Sequence, residues 1–314
     1  MFDFVGKRKI WYIICLCIII PGIISLCIQG LNVGIDFTGG NITQVKFEEQ
    51  IEVADIRDVV SAKVNQVPMI QNVDETEFLI RTHALSEEES AALILDLEKN
   101  FGKLTVTRSD HIGPVIGSEL RNSAILALVI ALVLMLIYIA IRFKFNYGIT
   151  AIITLVNDVL IVLSIFSLLQ IEVDGAFIAA ILTVIGYSIN NTIVIFDRIR
   201  ENSRGTKKED DPAIINKSVK QSLARTINTV LAVLFLLVCL MLLGGETTKI
   251  FSLAMIVGAI GGLYSAIFLT GSVLHEFNSK KNNKNLNNNI NKDEAKIGKK
   301  KVVVSKKPVT GKTK

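Results

Sequence analysis

Six stretches of this chain are long and apolar enough to cross a bilayer, and that constraint comes before every other. They run from about Ile10 to Ile28, Ser123 to Ile141, Ile149 to Leu169, Phe177 to Phe196, Thr226 to Leu243 and Ile250 to Leu274. Hydrocarbon offers backbone N–H and C=O groups no water, so spans of this length must be helices. Half of the 314 residues are hydrophobic and the mean hydropathy is +0.49, too apolar for a soluble protein of this size.

Lys7, Arg8 and Lys9 precede the first run. A basic start before an apolar stretch also describes a secretion signal. This run is longer than a signal's apolar core, and its end, Ser25-Leu26-Cys27-Ile28-Gln29-Gly30, lacks a small-residue cleavage pair. It is expected to remain as an anchor. Cys15, Cys17 and Cys27 fall in this run and Cys239 in the fifth, which leaves no disulfide framework and no metal-ligand spacing.

Residues 29–122 turn polar and read as a folded domain. Gly34-Ile35-Asp36-Phe37-Thr38-Gly39-Gly40 suits tight turns. Ile42 to Phe47 alternates as a strand, Val53 to Val64 has helical spacing, and Met69 to Val73 with Glu77 to Thr82 forms a hairpin around Asp74-Glu75. Ser86 and Glu89 make a capping box for a helix to about Phe101, and Leu104 to Thr107 is a last strand. The order β-α-β-β-α-β is the ferredoxin-like pattern. The expected fold class is therefore a polytopic α-helical membrane protein with six transmembrane helices and one ferredoxin-like α+β domain between the first two.

Basic residues set the orientation. The N-terminus (1–9), the Arg142/Lys144 turn, the 197–225 loop and the tail (275–314) are basic and alternate with poorly basic turns, so the positive-inside rule places them in the cytoplasm. The 29–122 domain then lies on the opposite, periplasmic side, and both termini are cytoplasmic. Within the loop, Ala213 to Ala224 has amphipathic spacing and is expected at the membrane surface. The tail is rich in Asn and Lys, a composition for disorder and for attraction to anionic lipid rather than to nucleic acid. Gly258 and Gly262 stand at the spacing that lets helices approach closely.

Polar groups inside spans are costly, so the chain's few are informative. The third span holds Asn157 and Asp158, the latter about 13 Å from the cytoplasmic end at 1.5 Å per residue. The fourth holds Tyr187, Ser188, Asn190 and Asn191, with Asn191 roughly 9 Å from Asp197. Arg225 stands at the cytoplasmic end of the fifth, where a long side chain reaches inward or snorkels outward. Two readings follow: hydrogen bonds that hold helices together, or a carboxylate that gains and loses a partner during ion coupling. No nucleophile–base pair, phosphate-cradling glycine loop or metal set appears, so no catalytic residue and no cofactor is expected. His83, His111 and His275 read as surface residues.

Several motifs resemble the SecF family, the smaller partner of SecD in bacterial protein export. They are Gly34-Ile-Asp-Phe-Thr-Gly-Gly40, Gly113-Pro-Val-Ile-Gly117, Thr183-Val-Ile-Gly-Tyr-Ser-Ile-Asn190, Phe196-Asp-Arg-Ile-Arg-Glu-Asn202 and Ser222-Leu-Ala-Arg-Thr226. The resemblance covers about residues 5–275 and marks Gly34, Asp36, Phe37, Thr38, Gly39, Gly40, Gly186, Tyr187, Ser188, Asp197 and Arg198 as family motif residues. It implies an RND-like six-helix half in the bacterial inner membrane that pairs with SecD. It further implies association with SecYEG and YajC, and use of the ion gradient to draw unfolded secretory proteins out of the channel. Asp158, Arg225, Asn191, Asn190 and Asn157 are the coupling candidates. The chain departs from the family at Asn190-Asn191-Thr192, where Asn-Asp-Thr is usual, and a neutral amide cannot cycle a proton. Many members also read His-Asp where Asn157-Asp158 stands. Two other functions fit the residues: a translocon scaffold without ion coupling of its own, and half of an RND-type exporter of lipids or small molecules.

Overall fold

The computed structural model describes residues 3–64, 68–204 and 211–279. The 205–210 part of the basic loop and the tail beyond residue 279 lie outside the described residues. Helix α1 (Arg8–Ile28) leads through a two-residue strand β1 (Asn32–Val33) and a one-turn helix α2 (Ile35–Thr38) into the polar domain.

That domain contains β2 (Gly40–Phe47), α3 (Val53–Val64), β3 (Met69–Asp74), β4 (Glu77–Thr82), α4 (Glu87–Phe101) and β5 (Leu104–Ile112). The strands form one antiparallel sheet in the order β3-β4-β2-β5, which is the ferredoxin-like arrangement. Both helices cover the same face, burying Val45, Phe47, Ile56, Val60, Ile70, Phe78, Ile80, Leu93 and Leu97. Phe78 is fully enclosed, a burial that stabilises by about 1.5–3 kcal/mol. The α4 capping box forms as its sequence dictates: Ser86 Oγ accepts from the Glu89 amide at 3.2 Å, and Glu89 Oε2 accepts from the Ser86 amide at 2.8 Å. β5 runs five residues beyond the expected end at Thr107, pairing with β2 as far as Ile112 opposite Gly40. Its polar second half hid it, because an edge strand tolerates charged and hydroxyl side chains that a central one does not.

Helix α5 (Pro114–Arg142) begins well before the apolar run at Ser123, and its first turns rest on α2 rather than in hydrocarbon. It is followed by α6 (Phe145–Leu168), a two-residue strand β6 (Glu172–Val173), α7 (Gly175–Ser203), α8 (Asp211–Leu243) and α9 (Glu246–Tyr264). From α9 the chain passes through a π-helical stretch, Ser265–Thr270, and stays helical to residue 279. Six helices are long and apolar enough to cross a membrane. The 213–224 segment is no separate surface helix. Ile214, Ile215, Ser218, Val219 and Ser222 are buried and continue one face with Thr226, Val230 and Leu237, so the amphipathic stripe packs inside the protein.

The bundle has a centre and a rim. Of the most apolar 18 residues of each span, about half are buried in α6, α7 and the last helix (50, 50 and 56 %), against 6 % in α5, 17 % in α8 and 22 % in α1. The rim helices therefore present apolar faces outward, as lipid contact requires. At the centre, α9 lies tightly on α7. A Cβ on Gly258 would overlap Val184, and one on Gly262 would stand 3.5 Å from Ser188.

The domain is fastened to the bundle at several points. β1 pairs in parallel with β6 in the α6–α7 turn. Gly39 and Gly40 take φ of 73° and 146°, which glycine alone adopts readily, and lead the chain from α2 into β2. Phe37 enters the bundle's own apolar core. A Cβ on Gly117 would come 2.8 Å from the Gly39 amide, so the Gly34–Gly40 and Gly113–Gly117 motifs meet face to face. Asp36 Oδ2 accepts from the Gly175 amide at 2.7 Å, and Arg81 of β4 pairs with Glu172 of β6.

Candidate functional site

At the centre of the bundle, α6 brings Asp158 to the α7–α9 contact, where it is fully buried. Its Oδ2 accepts from the hydroxyls of Ser188 on α7 and of Ser265 at the start of the π-helical stretch, the latter at 2.8 Å. Its Oδ1 accepts from Asn157 Nδ2 at 3.3 Å. The glycines explain how two serines reach one carboxyl: Gly262 lets α9 approach α7 at Ser188, and Gly261 abuts Ile161 of α6. The wide turn then carries Ser265 to the same point, while Thr270 Oγ1 closes it on the Ser265 carbonyl at 3.1 Å. π-helical turns inside α-helices often mark functional positions.

Among the described residues no Lys, Arg or His makes an ion pair with Asp158. The carboxyl is therefore held by hydroxyl and amide dipoles alone. Three donors suit a carboxylate; a carboxylic acid, which must donate once itself, needs one of the serines to turn. A change of protonation would thus be met by turning a serine hydroxyl supplied by α7 or by the last helix.

The other candidates separate. Asn157 joins Asp158. Asn191 lies one turn along α7 from Ser188, is buried, and has no hydrogen-bond partner for Nδ2 among the described residues. Asn190, rotated about 100° from it, is exposed. Arg225 is exposed on α8 and, among the described residues, makes no ion pair with Asp158. Gly186 is exposed with open space beside it, and Tyr187 is half-buried on the same helix. Asp197 stands between Arg142 (3.6 Å) and Arg200 (3.1 Å), and Arg198 donates to Gln221 (2.7 Å), tying α7 to α8. Gly34, Asp36, Phe37, Thr38, Gly39 and Gly40 all serve the domain–bundle junction, far along the chain from Asp158. Ser265 was missed as a site residue. Its signal was a serine three residues after the paired glycines of a span.

The junction carries its own electrostatics. Burial pushes the Glu172 carboxyl above its ordinary range, with Arg81 pulling it back, and burial likewise pushes Asp174 up. Asp174 also caps α7, accepting from the Phe177 amide at 2.8 Å. Among the described residues no group of three His, Cys, Asp or Glu side chains could hold a metal ion.

Two family models match this chain: the SecD/SecF protein export membrane protein, C-terminal, over residues 94–280, and the SecD/SecF GG motif over residues 24–51. The protein translocase subunit SecF of Thermobaculum terrenum is 37 % identical over 301 residues, covering 89 % of this chain and 95 % of the relative. That of Acidaminococcus fermentans is 39 % identical over 287 residues, covering 89 % of this chain and 98 % of the relative. The crystal structure of SecDF, a translocon-associated membrane protein from Thermus, matches with a TM-score of 0.82 at 35 % identity. The match covers 88 % of this chain but only 39 % of the SecDF chain.

Proposed function

This chain belongs to the SecD/SecF family of protein export membrane proteins, and on that premise we propose that it is the SecF half of a SecD–SecF pair in the bacterial inner membrane. In this reading it assists release of secreted proteins from SecYEG at the expense of the proton gradient, with YajC as a further associate and no enzymatic activity of its own. The basic helix ends and both termini face the cytoplasm, and the ferredoxin-like domain faces the periplasm, where it meets emerging chains. The greater length of the SecDF chain supports a SecD partner, since this chain matches only 39 % of it. A surface for that partner runs along α7. Ala179, Thr183, Gly186 and Asn190 are exposed at 4-3-4 spacing on a helix otherwise largely buried, a stripe of small and polar side chains suited to close contact with a second helix.

The observation that carries the coupling role is Asp158. A lone carboxyl, fully buried and shared among α6, α7 and the last helix, is expensive to keep unless it works. Asn191 takes no proton, and Arg225 supplies no counter-charge in this arrangement, so coupling in this half rests on Asp158 alone. The test is export of a secreted reporter in the native bacterium with its own SecD, comparing wild type with Asp158→Asn. The amide keeps hydrogen-bonding capacity and removes the titration. Loss of export at normal membrane levels is expected. Wild-type export by Asp158→Asn would establish the other reading, a scaffold without ion coupling, which the static serine cage also suits.

A further inference from the structure

Where α5 passes into α6, a cavity of about 410 Å³ opens beside the end of α7. Arg142, Lys144, Arg200 and Arg204 line it, and Phe143 with Tyr147 forms its apolar wall. Among the described residues the carboxylate paired with these cations is Asp197, 3.6 Å from Arg142 and 3.1 Å from Arg200, and Asp211 lies near enough to act on Tyr147. Lys144 and Arg204 have no acidic partner among the described residues. Like charges gathered around one cavity raise its potential and draw an anion into it. The wall itself is well ordered by packing: Phe196 meets Phe143 edge-on at 5.6 Å and Tyr147 at 4.9 Å.

Position identifies the anion. The cavity lies at the turn between two membrane-crossing helices, the level of the lipid headgroups. Ile141 and Phe145 flank the turn, 83 % and 79 % exposed. A basic pocket bordered by outward-facing apolar side chains fits an amphiphile, with its phosphate among the cations and its acyl chains along α5. A free phosphate would use only the first half of that surface. We propose that this cavity binds the headgroup of an anionic phospholipid, one molecule per chain. The site is separate from the Asp158 cage and from the export role proposed above.

The test is native mass spectrometry of the full-length protein, purified in detergent and supplied with phosphatidylglycerol or phosphatidylethanolamine. Retention of one phosphatidylglycerol and no phosphatidylethanolamine is expected. Lys144→Gln with Arg204→Gln should lower occupancy about tenfold, whereas Lys217→Gln with Lys220→Gln, an equal charge loss on exposed positions of α8, should leave it unchanged. Arg204→Gln alone, at an exposed helix end, keeps the test readable if the double variant fails to assemble. Equal retention of both lipids, or equal loss in the α8 control, overturns the proposal. So does displacement of the lipid by inorganic phosphate that itself stays bound, because the ligand is then a water-soluble anion.

Discussion

Glu172→Gln should loosen the grip of the ferredoxin-like domain on the bundle without unfolding either. Arg81 and Glu172 are only 11 % and 12 % exposed, so the substitution removes the carboxylate that faces a mostly buried guanidinium. Breaking a buried ion pair from one side costs about 3–5 kcal/mol. The lower figure applies here, since Arg81 keeps Gln71 at 3.0 Å and the β1–β6 pairing and the Asp36–Gly175 bond remain. About 3 kcal/mol is on the order of a hundredfold in the ratio of docked to undocked domain. Hydrogen exchange reads this directly. The Gly34 amide, bonded to the Val173 carbonyl at 2.9 Å, and its β1 and β6 neighbours should exchange about a hundredfold faster, while the β2–β4 ladder keeps its protection. Arg81→Met with Glu172→Leu should recover most of the loss, because an apolar pair of similar volume leaves no buried charge. Unchanged exchange at Gly34 in the single variant would refute the argument. Equal acceleration throughout the sheet would refute it too, by showing that the pair supports the domain rather than its attachment.

Two neighbouring glycines should behave differently when replaced by alanine. Gly258→Ala drives a methyl into Val184 and should cost about 1–3 kcal/mol, lowering the melting temperature in detergent. Gly262→Ala, with Ser188 at 3.5 Å, meets ordinary contact and should melt close to wild type; equal losses would mean that the α7–α9 approach is not set at Gly258. The junction should also respond to pH. Because burial holds Asp174 above its ordinary value, the docked state binds a proton more tightly there than an undocked one. Its contribution is therefore full below the ordinary carboxylate range, near pH 4, and fades as pH rises through the raised value. Gly34 exchange, corrected for its intrinsic pH dependence, should show more frequent opening toward neutral pH, and the opposite trend would contradict the assignment.

Much of the architecture was legible because it depends on local rules. Span length announces a helix without reference to neighbours, and the Ser86–Glu89 box and the Asp74–Glu75 turn are written within a few residues. The site was only half legible. Asp158 stood out because a carboxylate in a span is conspicuous by itself. Ser265 did not, since its role depends on α9 crossing α7 at Gly262 and on a wide turn that no composition announces. Asn190 and Asn191 are adjacent in sequence, yet one faces out and the other in, and only packing decides which. Arg225 carried the charge that Asp158 lacks, but the face of α8 on which it stands turns away. The glycines at 34–40 stood out in the sequence while giving no hint that their counterpart would be Gly117.

The wide turn at Ser265–Thr270 has one further consequence. A π-helical turn holds a surplus residue compared with an α-helix, and that surplus cannot be spread thinly; it is either within a given turn or passed to the next. Passing it on turns the stretch it crosses by about 100° and advances it by about 1.5 Å. Any shift of the Ser265 hydroxyl relative to the Asp158 carboxyl would therefore come in discrete steps, like the teeth of a ratchet, rather than along a continuous slide.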